Sequence, residues 1–280
     1  MIFLTSSARH LKLKGRKRNY SLDKYPSGEI KINVIADVNS GCVFIIGSVL
    51  PDANSLLEIM IFGDVLKERG LKVNIVIPYL AYARQDKQEG GEPFAARVVC
   101  NILRTVGFGK AYVIDAHNIK LNRFFRFINV IPVNIFSKEF SRINDPIVIA
   151  PDKGGVKRAK GMADFLSCEM ACIEKARLGP GRAISLALKG NVRNRNALII
   201  DDMIDTGGTI INAADLLKKN GAKDVYVAAT HGLFSGNAIK KLEKSQIKKI
   251  VITNTLPLNV SSNKIKVVKI EPLIEKIIYS

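Results

Sequence analysis

Asp201 and Asp202 stand side by side at the end of the apolar run Ala197-Leu198-Ile199-Ile200, and Asp205-Thr206-Gly207-Gly208-Thr209 follows almost at once. Two adjacent carboxylates can accept hydrogen bonds from neighbouring sugar hydroxyls, and the hydroxyls of Thr206 and Thr209 can donate to phosphate oxygens. Gly207 and Gly208 let the main chain come close to an anion, and a helix starting there would aim its amides at it. Phosphate at one end and diol at the other describe a 5-phosphoribosyl group. A solvated turn with acidic caps would account for two glycines or one Asp-Thr pair, but not for the whole nonapeptide.

Positioning these groups requires a strand before them and a helix after. Residues 197–200 read as a buried strand, and Ile210 to Lys219 carries apolar residues at helical spacing. That makes 201–209 a strand-to-helix loop. Upstream, Val43 to Gly47 and Val73 to Pro78 read as strands, Asn54 to Glu68 and Pro93 to Thr105 as helices, and Tyr112 to Ile114 as another strand. Alternation of this kind belongs to a parallel α/β sheet.

Other groups with chemical potential sit at similar junctions. Arg84 follows the strand ending at Pro78, where a planar guanidinium suits paired phosphate oxygens, and Gln85 beside it can hydrogen-bond a nucleotide. Asp152, at a strand end before Gly154, Gly155 and a helix, can hold a metal or a ribose hydroxyl. His117 is one of three histidines and ends the strand-loop Asp115-Ala116-His117. Alone it reads as a core or surface histidine, since magnesium prefers oxygen. Lys175 and Arg177 precede Gly179-Pro180-Gly181, and 178–196 has the punctuation of a mobile segment; without context it is a charged surface loop.

Residues 201–209 resemble the phosphoribosyl-diphosphate (PRPP) loop shared by type I phosphoribosyltransferases and PRPP synthetases (ribose-phosphate diphosphokinases). Pro78 to Lys87 is similar to the Pro-Tyr-x-x-Tyr-Ala-Arg-Gln-Asp signature of the second family, Asp115-Ala116-His117 to its Asp-x-His, and Pro151 to Ala159 to its Pro-Asp-x-Gly-Gly-x-x-Arg-Ala segment. Tyr25-Pro26-Ser27-Gly28-Glu29 resembles its Phe-x-Asp-Gly-Glu turn, and Glu174 to Arg177 the Asp-Lys-Arg-Arg that opens its catalytic loop. On these motifs the chain is identified as a member of the PRPP synthetase family.

The resemblance implies two tandem type I phosphoribosyltransferase-like α/β domains with parallel core sheets. Residues 1–133 would carry the ATP-binding elements, and residues 134–280 the ribose-phosphate loop and a catalytic lid. It implies magnesium-dependent transfer of the β,γ-diphosphoryl group of ATP to the anomeric hydroxyl of ribose 5-phosphate. By the same resemblance, ATP is bound by Tyr25, Ser27, Glu29, Arg84, Gln85, Asp86 and His117, with magnesium on His117 and Asp152. Lys175, Arg177 and Arg84 stabilise the transferring group; Asp152, Asp201 and Asp202, then Asp205, Thr206, Gly207, Gly208 and Thr209, hold the ribose phosphate. The family works as homo-oligomers, so at least a dimer is expected.

Departures leave other readings open. Ser27 replaces an acidic or amide residue, Glu174 an aspartate and Ala176 a basic residue, and the serine-rich tail of the long allosteric forms is missing. A streamlined relative diphosphorylating ADP-ribose, as in viral NAD rebuilding, shares the mechanism with another acceptor. A phosphoribosyltransferase would need only the 201–209 loop, and a non-catalytic partner subunit would have lost the lid, whereas this chain keeps Lys175 and Arg177.

With 280 residues, 47% hydrophobic and 24% charged, the chain is long enough for two globular domains. No apolar run has the length of a membrane span, and there is no signal-peptide pattern at the N-terminus, so a cytoplasmic protein without membrane partners is expected. Cys42, Cys100, Cys168 and Cys172 form no zinc set and read as buried free thiols. The net charge of +18 invites nucleic acid, but the cations are spread along a chain without Trp, so no nucleic-acid partner is expected. The one dense cluster, Arg9, Lys12, Lys14, Arg16, Lys17 and Arg18, reads as a solvated arm.

Overall fold

Short apolar runs separated by amphipathic segments fold here into two compact units, seen in a computed structural model that describes residues 1–15, 20–35, 41–88, 90–177 and 184–280. The side chains of 175–177 and 184–185 lie outside that description. One unit comprises Met1–Val130, Thr255–Pro257 and Glu271–Ser280, the other Ile131–Asn254 and Leu258–Ile270.

In the first unit β1 (Ile2–Leu4) is followed by an antiparallel hairpin of β2 (Tyr20–Lys24) and β3 (Ile30–Val34). Then come β4 (Cys42–Ile46), α1 (Ala53–Glu68), β5 (Lys72–Ile77), α2 (Ala95–Thr105), β6 (Ala111–Ile114) and β7 (Ile128–Val130). The sheet runs β1-β4-β5-β6-β7, every pair parallel. Asp52 starts α1 by accepting the Ser55 amide at 2.8 Å, and Ile59, Phe62 and Leu66 bury its inner face. Cys100 is buried, and burial pushes its thiol up to about 11. Cys42 departs from the expectation of buried thiols: it opens β4 at the strand's exposed end, with Asn74 Nδ2 3.0 Å from its sulfur.

The second unit continues with α3 (Val133–Phe140), β8 (Pro146–Ala150), α4 (Val156–Leu166), β9 (Met170–Arg177) and β10 (Ile184–Lys189). It is completed by β11 (Asn196–Ile204), α5 (Gly208–Lys219), β12 (Val225–Gly232), α6 (Ala238–Lys244), β13 (Ile247–Thr253) and β14 (Ile265–Val268). Its sheet is ordered β10-β9-β8-β11-β12-β13-β14, parallel except for the edge strand β10. Alternate residues of the central strands serve two cores. Ile147, Ile149, Ala197 and Ile199 pack towards α5 and α6, while Val148, Ala150, Leu198 and Ile200 pack towards α3 and α4. Covering both faces is why these strands are apolar throughout.

The last helix, α7 (Glu271–Tyr279), belongs to the first unit and receives part of the basic arm. Lys12 N donates to Glu271 Oε1 at 3.0 Å, Lys14 N donates to Glu275 Oε1 at 2.6 Å, and Leu11 and Leu13 are buried. As far as Gly15, therefore, the arm is docked rather than solvated. Its alternating leucines and the amides of Lys12 and Lys14 have partners, while the side chains of Arg9, Lys12 and Lys14 stay outside. Arg16, Lys17 and Arg18 lie outside the described residues. Among the described residues no helix is long and apolar enough to cross a membrane.

Candidate active site

In the second unit the chain leaves β8 through α4 to β9 on one side, and leaves β11 through α5 to β12 on the other. Those helices cover opposite faces of the sheet. The carboxyl ends of β8 and β11 therefore border the crevice that forms where strand order reverses, the place where open α/β sheets bind ligands. Asp152 lies just past the end of β8, and Asp201 and Asp202 lie on β11.

The acid pair was expected in a loop but sits on the strand. Pairing with β12 continues through Asp201↔Ala229 and Met203↔His231 to Ile204↔Gly232, and the amides of Leu233 and Phe234 both donate to Ile204 O. A long β12 thus carries β11 past its apolar stretch, and residues 205–207 alone form the turn. A strand holds the two carboxylates more rigidly than a loop would.

Asp201 is half-buried, and Asp202 is 5% exposed. The Asp202 amide donates to Asp201 Oδ1 at 2.9 Å. Arg158, only 7% exposed in the first turn of α4, brings Nη2 to 3.8 Å from Asp202 Oδ1, an ion-pair distance longer than a hydrogen bond. Burial, and next the neighbouring Asp202 carboxylate, raise Asp201 well above the usual carboxylate range, while Arg158 pulls the other way. Arg158 is the arginine of the Pro151 to Ala159 segment, but the sequence alone assigned it no role; its partner on β11 is visible only in the fold.

At the phosphate end, Gly207 precedes α5 with φ 80°, and no side chain caps that helix. The amides of its first turn can thus serve a bound anion. Any Cβ at 207 would be strained by that φ and would approach Leu242 Cγ at 3.3 Å. Thr206 and Thr209 are exposed beside it. Thr209 also lines a groove of about 510 Å³ with Pro151, Ile173, Leu186, Asn212 and Leu216.

Asp152 Oδ1 accepts the Gly155 amide at 3.1 Å, which shapes the loop after β8. Glu174 links that loop to the β9–β10 hairpin, with Lys189 Nζ at 2.9 Å and Lys153 Nζ at 3.8 Å. The Lys189 hydrogen bond holds its carboxyl below the usual range. Lys175 pairs with Leu186 in the hairpin register, but the side chains of Lys175 and Arg177 lie outside the described ones. Expected as irregular from 178 to 196, the segment instead forms β10 over Ile184–Lys189, because its apolar residues recur at every second position and Leu186 and Leu188 pack on the core beneath α5. Residues 178–183 lie outside the described ones.

In the first unit the loop with His117 is tied to the loop with Arg84 to Asp86, while Tyr25, Ser27 and Glu29 lie in the β2–β3 turn. Asp115 ends β6 buried with φ 46°, and Ala116 N donates to Asn129 Oδ1 at 2.7 Å, presenting His117 on the surface. Asn118 Nδ2 donates to Asp86 Oδ2 at 2.6 Å and ties this loop to the one bearing the exposed Arg84 and Gln85. Asn118 is a link that only the tertiary structure reveals. In the β2–β3 turn, Tyr25 N donates to Glu29 O at 2.9 Å and Ser27 Oγ donates to Glu29 Oε2 at 2.7 Å. Lys31 Nζ lies 5.4 Å from the Tyr25 ring centre.

Among the described residues no group of three or more His, Cys, Asp or Glu side chains forms a metal cage. A carboxylate such as Asp152, with one oxygen engaged by an amide, suits a magnesium ion held mainly by phosphates and water, which is how this hard ion usually binds.

Residues 7–107 match the N-terminal domain of ribose phosphate pyrophosphokinase, and residues 178–279 the phosphoribosyl synthetase-associated domain. The chain is 38% identical over 270 residues to a ribose-phosphate pyrophosphokinase of Pyrococcus furiosus, an alignment covering 93% of this chain and 96% of that protein. The chain belongs to the ribose-phosphate pyrophosphokinase family. Another member, from Fusobacterium nucleatum, is 38% identical over 89% of this chain and 83% of its own length. Among solved structures, the phosphoribosylpyrophosphate synthetase of Mycobacterium smegmatis superposes with a TM-score of 0.87 at 31% identity, covering 100% of this chain and 97% of that one. The fold expected of a ribose-phosphate pyrophosphokinase, two α/β units on parallel sheets, is the fold observed.

Proposed function

We propose that the protein transfers the β,γ-diphosphoryl group of ATP to the anomeric hydroxyl of ribose 5-phosphate, forming PRPP and AMP. The observation that carries this reading is the pairing of a helix N-terminus without a side-chain cap with two carboxylates on the adjoining strand. Those features match a 5-phosphate and a ribose diol respectively. Membership of the family supplies the reaction class.

In this reading, Asp201 and Asp202 accept hydrogen bonds from the ribose hydroxyls, and residues 205–209 hold the phosphate. Tyr25, Ser27, Glu29, Arg84, Gln85, Asp86 and His117 bind ATP. The anomeric oxygen attacks the β-phosphorus as the bond from that phosphorus to the oxygen bridging to the α-phosphate breaks; the bridging oxygen leaves with AMP, and the hydroxyl proton passes to water. Negative charge spreads over phosphate oxygens, so positioning and cations carry the catalysis. Lys175, Arg177 and Arg84 supply that charge from the chain. His117 and Asp152 are the residues that would hold magnesium beside the phosphates, and the ion would further neutralise the phosphate oxygens when bound. The ATP elements fall in 1–133 and the ribose-phosphate elements in 134–280, and the working form is a homo-oligomer in the cytoplasm.

The test is AMP release from ATP and magnesium with ribose 5-phosphate or ADP-ribose as acceptor. Turnover with ribose 5-phosphate and none with ADP-ribose is expected. Turnover with ADP-ribose alone would reassign the acceptor, and silence with both would refute the activity.

A further inference from the structure

The diol-binding carboxylates do not stand alone. Asp202 is buried on β11, and the guanidinium facing it, from Arg158, is equally buried on α4. We propose that Arg158 is a positioning residue for the sugar end of the reaction: through Asp202 it keeps a charged, correctly oriented acceptor for a ribose hydroxyl. This rests on the ribose-phosphate reading of the site.

Two adjacent carboxylates repel in a site largely removed from water, and a paired buried charge is tolerated where an unpaired one is not. Arg158 is the cation placed at ion-pair distance from the inner member of the pair. It also sits in the helix turn directly after the loop that carries Asp152, a loop held by the Asp152–Gly155 hydrogen bond. Movement of that loop reaches Asp202 through one rigid turn of α4. The ends of β8 and β11, which border the crevice, are therefore coupled through this arginine as well as through their β-ladder. Arg158 Nη2 lies 3.8 Å from Asp202 Oδ1 and so acts through the carboxylate.

The experiment measures steady-state kinetics of AMP release for the full chain, R158Q, R158K, D202N and the R158Q/D202N double variant. R158Q should raise the KM for ribose 5-phosphate about tenfold or more, the scale of a lost buried charge-assisted contact, with the KM for ATP within about twofold. R158K keeps the charge but loses reach and planarity, so its shift should be intermediate, about two- to fivefold. Because the effect runs through Asp202, R158Q should change kcat/KM for ribose 5-phosphate by less than about twofold in the D202N background. Equal shifts in both KM values, or an undiminished R158Q effect beside D202N, would overturn the proposal. If R158Q fails to fold, R158K decides alone: a ribose 5-phosphate KM equal to that of the unaltered protein leaves Arg158 a structural role only. An unaltered protein that releases no AMP would overturn the ribose-phosphate reading and this assignment with it, whereas an active protein insensitive to both variants would overturn the assignment alone.

Discussion

Burial and the adjacent Asp202 hold the Asp201 carboxyl above the usual range, so the folded protein binds that proton more tightly than the unfolded chain does. The stability this contributes is fully present below the unfolded value of about 3.9 and is lost as pH rises through the higher folded value. D201N removes the ionising group. It should raise Tm at pH 7 and lose that advantage as pH falls towards about 4, while abolishing ribose 5-phosphate binding. Thermal melts across pH with and without ribose 5-phosphate check both halves, and a lower Tm at pH 7 would contradict the account. Lys175 belongs to the same scale. K175A should lower kcat about a hundredfold or more while leaving the KM for ATP nearly unchanged, because the charge acts mainly in the transition state; an unchanged kcat would remove it from the mechanism. The place of the acid pair and the glycine turn at a strand-to-helix junction was legible in the sequence, because an apolar run precedes them and a helical pattern follows. The role of Arg158, although the residue stands in a quoted motif, and the link through Asn118 were not, since their partners lie far along the chain, on β11 and in the loop with Asp86.

Elements differ in how openly the sequence declares them. The central strands β5, β8 and β11 are legible as apolar runs, because both of their faces are covered. The length of β11 was not, because Asp201 and Asp202 interrupt its apolar run and a long β12 carries the strand past them to Ile204. Glycines and cations around 178–196 masked β10, although Ile184, Leu186 and Leu188 carry the period of two. The arm was misjudged in the same way. Its cations suggested solvation, yet Leu11 and Leu13 are buried and α7 accepts two of its amides. L11A should cost about 2–5 kcal/mol, the range for truncating a fully buried leucine. Urea unfolding measures this, and an unchanged midpoint would mean that the arm is not docked in solution.

At the scale of the whole molecule, α/β alternation gave the class of both units, and the ordered motifs gave the family. The return of α7 to the first unit had no signal in the sequence, because nothing local distinguishes a helix that packs on its neighbour from one that packs on the other end of the chain. The positive charge fits polyanionic substrates, which a strongly basic protein attracts at long range. The central claim is that one chain moves an intact diphosphoryl group from ATP to a sugar. Phosphorus NMR of a reaction with ATP, magnesium and ribose 5-phosphate tests it most directly. The account predicts AMP together with a new diphosphate ester on the anomeric carbon, in equal amounts. ADP with a singly phosphorylated new product, or AMP with free pyrophosphate and unaltered ribose 5-phosphate, would contradict it.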